Sequence, residues 1–134
     1  MVDLEEFKVT FFQETQELLD DMENDMLLLQ DGEATDETIN AIFRAVHSAK
    51  GGAGAFGLDR LVDFAHVFET LLDRMRNGEH EADEKTVGVL LKAGDRLGDL
   101  MNFYRENQPI PDDFEQAVMG QLQELIDGGS GGGD

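Results

Sequence analysis

The segment His47-Ser48-Ala49-Lys50-Gly51-Gly52-Ala53-Gly54-Ala55-Phe56-Gly57 sets an imidazole and an ammonium three residues apart, with glycines directly after them. On a helix, residues at that spacing share a face. An ordinary imidazole, with a pKa of ~6.5, is largely uncharged at neutral pH and can attack phosphorus without first losing a proton. A nearby ammonium can balance the oxygens of a transferred phosphoryl group. Further along, His66 and Glu69 repeat the same spacing and add a carboxylate. A carboxylate that accepts a hydrogen bond from one ring nitrogen fixes the tautomer and leaves the other nitrogen's lone pair free.

Helices must position these groups. Apolar residues recur at helical rather than alternating spacing, and the prolines Pro109 and Pro111 fall together near the C-terminal end, which predicts an all-α chain. The first predicted helix carries Leu4, Phe7, Phe11, Leu18, Met22, Met26 and Leu29 and stops at Asp31-Gly32. A second begins after Thr35-Asp36, with Ile39, Ile42, Phe43, Val46, Ala53 and Phe56 on its stripe. Gly57 breaks that pattern, and a third resumes at once with Leu58, Leu61, Val62, Ala65, Phe68, Leu72 and Met75. A fourth runs from about Asp83 with Val87, Leu90, Leu97, Leu100, Met101 and Tyr104, and a fifth follows Pro111 with Phe114, Val118, Leu122 and Ile126. The expected architecture is an antiparallel four-helix bundle with an additional C-terminal helix.

So short a connection at Gly57 forces an antiparallel hairpin, in which facing residues have numbers summing to about 115 or 116. His47 then faces Glu69, and Lys50 faces His66. The plainer interpretation of Lys50 and Glu69 is a solvated ion-pair ridge, worth at most about 1 kcal/mol. Three glycines inside the second helix, Gly51, Gly52 and Gly54, cost about 1 kcal/mol each relative to alanine. Either Gly51 ends the helix, or the helix continues, because Ala53 and Phe56 keep the stripe in phase, and the glycines bare one face. A bare face admits the backbone of another protein, so Gly51 and Gly54, with Phe12 and Leu19 at the stripe edge of the first helix, are the expected docking residues. Residues 52–57 also fit the pattern G-x-G-x-x-G, but a helix rather than a strand precedes them, so dinucleotide binding is not expected.

Composition narrows the partners. In 134 residues, 10 Lys and Arg face 30 Asp and Glu, for a net charge of -20, which repels nucleic acid and anionic membrane. Cysteine is absent, so a thiolate metal site and a thiol nucleophile are excluded. The opening Met1-Val2-Asp3-Leu4-Glu5-Glu6 has neither a signal nor an anchor pattern, and no stretch approaches the ~18 apolar residues of a membrane span, so a cytoplasmic location is expected. The domain is expected over residues 1–127, with residues 128–134 as a Gly/Ser-rich flexible tail.

Other chemistries fit less well. A carboxylate-bridged di-metal bundle needs Glu-x-x-His on two helices, and only Asp63-Phe64-Ala65-His66 comes near that form. The only serines are Ser48 and Ser130, and Ser48 diverges from His47 on a helix, which leaves no hydrolase triad. A helical module that only binds a partner remains the alternative.

His47-Ser48-Ala49-Lys50-Gly51-Gly52-Ala53-Gly54, together with Phe11-Phe12-Gln13-Glu14-Thr15-Gln16-Glu17-Leu18-Leu19, Asn40-Ala41-Ile42-Phe43-Arg44-Ala45-Val46 and Phe56-Gly57, resembles histidine-phosphotransfer (HPt) domains, specifically the N-terminal domain of CheA-type chemotaxis kinases. The resemblance covers roughly residues 4–126. It implies that His47 is the phosphoacceptor, Glu69 its hydrogen-bonded orienter, and Lys50 and His66 supporting members. It also implies an ATP-binding kinase domain as donor, in the same or another protein of this type, and CheY-like or CheB-like response regulators as acceptors on aspartate. No cofactor or metal is expected on this domain, with ATP and Mg2+ on the kinase domain and the regulator respectively. No ATP-binding motif is present, so the domain is expected to be no enzyme alone but part of a sensor histidine kinase. The family often has a larger residue at the position of Ala49, which touches packing rather than chemistry.

Overall fold

The computed structural model describes residues 3–128, and among them are five helices and no strand. These are α1 (Leu4–Gln30), α2 (Asp36–Ala55), α3 (Asp59–Arg76), α4 (Glu84–Arg105) and α5 (Gln116–Gly128). The first four close a ring in which each packs on the next and α4 returns to α1, while α5 lies outside against α3 and α4. Short connections between consecutive helices make neighbours antiparallel.

The helix starts are written locally. Asp3 accepts from the amide of Glu5, and Asp83 from that of Thr86. At α2 the Thr35 hydroxyl accepts from the Thr38 amide while the Thr38 hydroxyl accepts from the Thr35 amide, a reciprocal cap. The α2 end is equally specific. Gly57 sits at φ +69°, which lets its amide reach the Gly54 carbonyl (3.3 Å) and the Leu58 amide reach that of Ala53 (3.0 Å). A side chain with a Cβ is strained there, and the sharp reversal that results lays α3 directly along α2.

One stripe differs from expectation. On α1 the buried residues are Phe12, Thr15, Leu19, Met22, Met26 and Leu29, spaced alternately by three and four, whereas Leu4, Phe7 and Leu18 are exposed and Phe11 only partly covered. The polar Thr15 belongs to the true stripe and conceals it. Phe12 and Leu19 are therefore core residues, 6 % and 5 % exposed, and not docking residues as expected. Phe64, Phe68, Ile42, Leu61, Leu90 and Leu97 fill the centre, each wholly buried. At about 1.5–3 kcal/mol per large apolar side chain, such burial holds the bundle together.

The fifth helix also begins later than the pattern suggests. Arg60 on α3 donates to the carbonyls of Ile110, Pro111 and Asp112 and to the buried Glu115 carboxylate (Nε to Oε2, 2.9 Å). One guanidinium thus straps the segment before α5 onto the bundle. Residues 112–115 turn, with Phe114 edge-on to Phe103, and the helix starts at Gln116. Gly128, expected in the tail, closes α5, and residues 129–134 lie outside the described residues. Among the described residues no helix is long and apolar enough to cross a membrane.

Candidate functional site

The α2/α3 hairpin brings three of the four expected groups into one hydrogen-bonded cluster. His47 Nδ1 lies 2.8 Å from Glu69 Oε2, and Lys50 Nζ donates to Glu69 Oε1 at 2.9 Å. Both oxygens of the carboxylate are engaged. The His47 side chain is 60 % exposed and that of Glu69 only 15 %, so the acid sits beneath the ring and the ring stands in solvent.

Electrostatics fix which nitrogen is free. Burial works to raise the Glu69 carboxyl, but hydrogen bonds from Lys50 and then His47 outweigh it and hold the group below its ordinary value. At neutral pH it is a carboxylate, an acceptor only. Nδ1 must then carry the proton it shares with Glu69, and the neutral ring keeps its lone pair on Nε2. A cation formed at the imidazole during nucleophilic attack would meet this carboxylate at hydrogen-bond distance.

Lys50 departs from its expected pairing. It reaches Glu69 rather than His66, because a carboxylate draws an ammonium more strongly than an imidazole does and the long lysine arm spans the difference in register. The His66 imidazole is exposed, and among the described residues no hydrogen bond joins it to His47, Lys50 or Glu69. It lines, with Lys50, Gly51, Gly54 and Val62, a shallow groove of about 620 Å³ beside the cluster.

The glycines separate into two kinds. The helix runs through all three, so Gly51 is not its end. A Cβ on Gly52 would collide with the Phe11 ring, which makes that glycine a packing residue. At Gly51 and Gly54 a Cβ would meet nothing within 4 Å, and both lie exposed. Among the described residues no close contact requires a glycine at either position, and each costs the helix about 1 kcal/mol.

Two neighbours of the site were not expected there. The Phe43 ring lies nearly parallel to the His47 ring, centroids 5.9 Å apart and planes 6° apart, and the Arg76 guanidinium carbon sits 3.9 Å from the Phe43 centroid. Phe43 stood in the sequence one turn before His47, which was a usable signal, but Arg76 required the cross-helix register. Among the described residues no three His, Cys, Asp or Glu side chains are grouped so as to hold a metal ion.

This all-helical bundle, which presents a solvent-facing histidine on a largely covered carboxylate, belongs to the histidine-phosphotransfer family: residues 6–128 match the Hpt domain. The chain is 46 % identical over 127 residues to the chemotaxis protein CheA of Rhizobium meliloti (strain 1021), covering 95 % of itself and 17 % of that relative. It is 44 % identical over 120 residues to CheA of Cereibacter sphaeroides, covering 84 % of itself and 18 % of that protein. It thus spans under a fifth of the length of these curated relatives. Among solved structures it is similar to the phosphorylated P1 domain of CheA3 in complex with CheY6 from R. sphaeroides, with TM-score 0.79, 30 % identity, and 89 % and 94 % of the two chains covered. The solution structure of the histidine phosphotransfer domain of CheA follows at TM-score 0.69 and 26 % identity, covering 87 % of this chain and 91 % of that one.

Proposed function

We propose that this domain takes a phosphoryl group onto Nε2 of His47 from the ATP-binding domain of a CheA-type kinase and passes it to an aspartate of a CheY-like or CheB-like response regulator. The observation that carries this reading is the His47 Nδ1 to Glu69 contact at 2.8 Å beneath a ring that is 60 % exposed. In the first step the Nε2 lone pair bonds to the γ-phosphorus of ATP, and the bridging oxygen leaves with ADP. In the second, an aspartate oxygen of the regulator bonds to phosphorus, and the P–N electron pair returns to Nε2. Glu69 stabilises the imidazolium character of the intermediate in both directions. Lys50, already at the carboxylate, is close enough in sequence and fold to swing toward phosphoryl oxygens once they arrive.

ATP binds the donor domain and Mg2+ the regulator, and this domain supplies neither site. In this reading the whole protein is a cytoplasmic sensor kinase and this domain its phosphoryl carrier. Similarity to a P1 domain solved in complex with CheY6 supports a response regulator as acceptor. The excess of acid, -20 overall, favours partner faces that are basic or mixed.

The direct test is to label the domain with radioactive phosphate through a CheA-type kinase domain and ATP, then add a CheY-like regulator with Mg2+. The label should be acid-labile and base-stable on this chain and move to the regulator. A module that only binds would never acquire it.

The bare glycine face is read as part of the docking surface. Gly54→Leu is expected to raise folding stability by roughly 0.5–1 kcal/mol, since leucine is the better helix former. The same bulk at a close-packed interface costs about 1–3 kcal/mol, or roughly five- to 150-fold in transfer rate. Thermal melts paired with transfer kinetics check it; transfer at the unaltered rate would remove Gly54 from the interface.

A further inference from the structure

We infer that Phe43 and Arg76 are positioning residues for the phosphoacceptor, setting the plane of the His47 imidazole that Glu69 by itself leaves free to turn. This rests on the reading of His47 as the group that takes the phosphoryl.

One hydrogen bond pins one ring atom. The His47 ring can still rock about the Nδ1 to Oε2 line, because the outer torsion of histidine is broad and soft. A side chain 60 % exposed has little packing to narrow it. The direction of Nε2 matters, since its lone pair lies in the ring plane and must point along the line joining phosphorus to its leaving group.

Phe43 supplies the missing constraint. It sits one helical turn before His47, and its ring is offset and parallel to the imidazole within 6°. Offset stacking is a preferred arrangement of aromatic pairs, so the imidazole takes its plane from the phenyl ring. Phe43 is itself only partly buried and needs an anchor of its own. Arg76, the last residue of α3, lies over that ring at 3.9 Å, within cation–π range. The guanidinium is tied down in turn by Asp73, one turn earlier on the same helix, at 2.8 Å. Asp73, Arg76, Phe43 and His47 therefore form a continuous line of contacts, crossing the same α2/α3 seam that Lys50 and Glu69 cross. The hydrogen bond sets where the ring is attached, and the stack sets which way it faces.

The test uses the full chain and phosphoramidate, a small donor that needs no docking surface. Its P–N bond breaks, ammonia leaves, and the new bond forms between phosphorus and Nε2. Phe43→Leu, which keeps apolar bulk but has no ring, should slow labelling of His47 about three- to tenfold, and Phe43→Tyr should restore the rate to within about twofold. Arg76→Gln, a surface change that cannot unfold the domain by emptying the core, should slow it about two- to fivefold. In Phe43→Leu the carbon-bound ring protons of His47 should move downfield as the phenyl ring current is lost, a signature that mere loss of stability would not produce. Labelling of Phe43→Leu and Arg76→Gln at the wild-type rate, with those protons unmoved, would overturn the inference and leave His47 as phosphoacceptor. A wild-type chain whose His47 takes no label would overturn both.

Discussion

His47→Gln is expected to lose phosphoryl uptake completely and to keep its fold. The side chain is mostly in solvent and its one hydrogen bond is to Glu69, a bond that a glutamine amide can still donate. Glu69 also retains Lys50. The stability change should therefore stay within about 1 kcal/mol, the net worth of an ordinary hydrogen bond. An amide nitrogen has no basic lone pair to offer phosphorus, and among the described residues the other nearby imidazole, His66, is exposed but has no hydrogen-bonded carboxylate like the one that orients His47. Circular dichroism and label incorporation, measured on one preparation, check both halves. Label persisting at the wild-type level would move the phosphoacceptor to another residue.

Glu69→Ala should slow phosphorylation by roughly ten- to a hundredfold, by analogy with the loss of a carboxylate partner behind a metal-binding histidine. Without the carboxylate, Nδ1 has no fixed acceptor, both neutral tautomers are populated, and the developing imidazolium loses its counter-charge. The variant also strands the Lys50 ammonium, 23 % exposed, so some stability goes with it. Glu69→Gln separates the charge from the shape. Because the native carboxyl is held below its ordinary value of 4.5, its ionised form stabilises the fold fully above that pH, and the contribution disappears as pH falls through the depressed value. The stability gap between wild type and Glu69→Gln should accordingly hold from neutral pH down to about 4.5 and close below it. Denaturant melts at several pH values measure this; a gap that widened on acidification would mean the carboxyl is destabilised rather than stabilised by its partners.

What could be read from the amino acids alone follows from how far each interaction reaches. The helix ends were legible because caps are local: Thr35 with Thr38, Asp83 with Thr86, and Gly57 each act within a few residues. The His47 to Glu69 pairing was legible because a three-residue turn leaves the hairpin almost no freedom of register. Lys50 and Arg76 were harder, since their partners Glu69 and Phe43 lie on a register line displaced from that of His47, where the long arms of lysine and arginine reach. Phe12 and Leu19 were misplaced because two adjacent phenylalanines, and two adjacent leucines, offer two stripes of nearly equal apolarity, and only the facing helices select between them. The Arg60 to Glu115 strap joins residues of opposite charge 55 positions apart, among many other acids, and has no local signature. The two bare glycines were the reverse case. Their cost in a helix was plain in the sequence, and the structure adds that among the described residues nothing occupies the space they leave.

The central claim concerns a single nitrogen, and nuclear magnetic resonance of the phosphorylated chain reads it directly. With phosphorus on Nε2 and the Nδ1 proton still shared with Glu69, a proton–phosphorus correlation should connect the phosphoryl group to both carbon-bound ring protons of His47. A correlation to the Hε1 proton alone would place phosphorus on Nδ1, where Glu69 now sits, and a correlation to any other residue would remove His47 from the chemistry; either result contradicts the account.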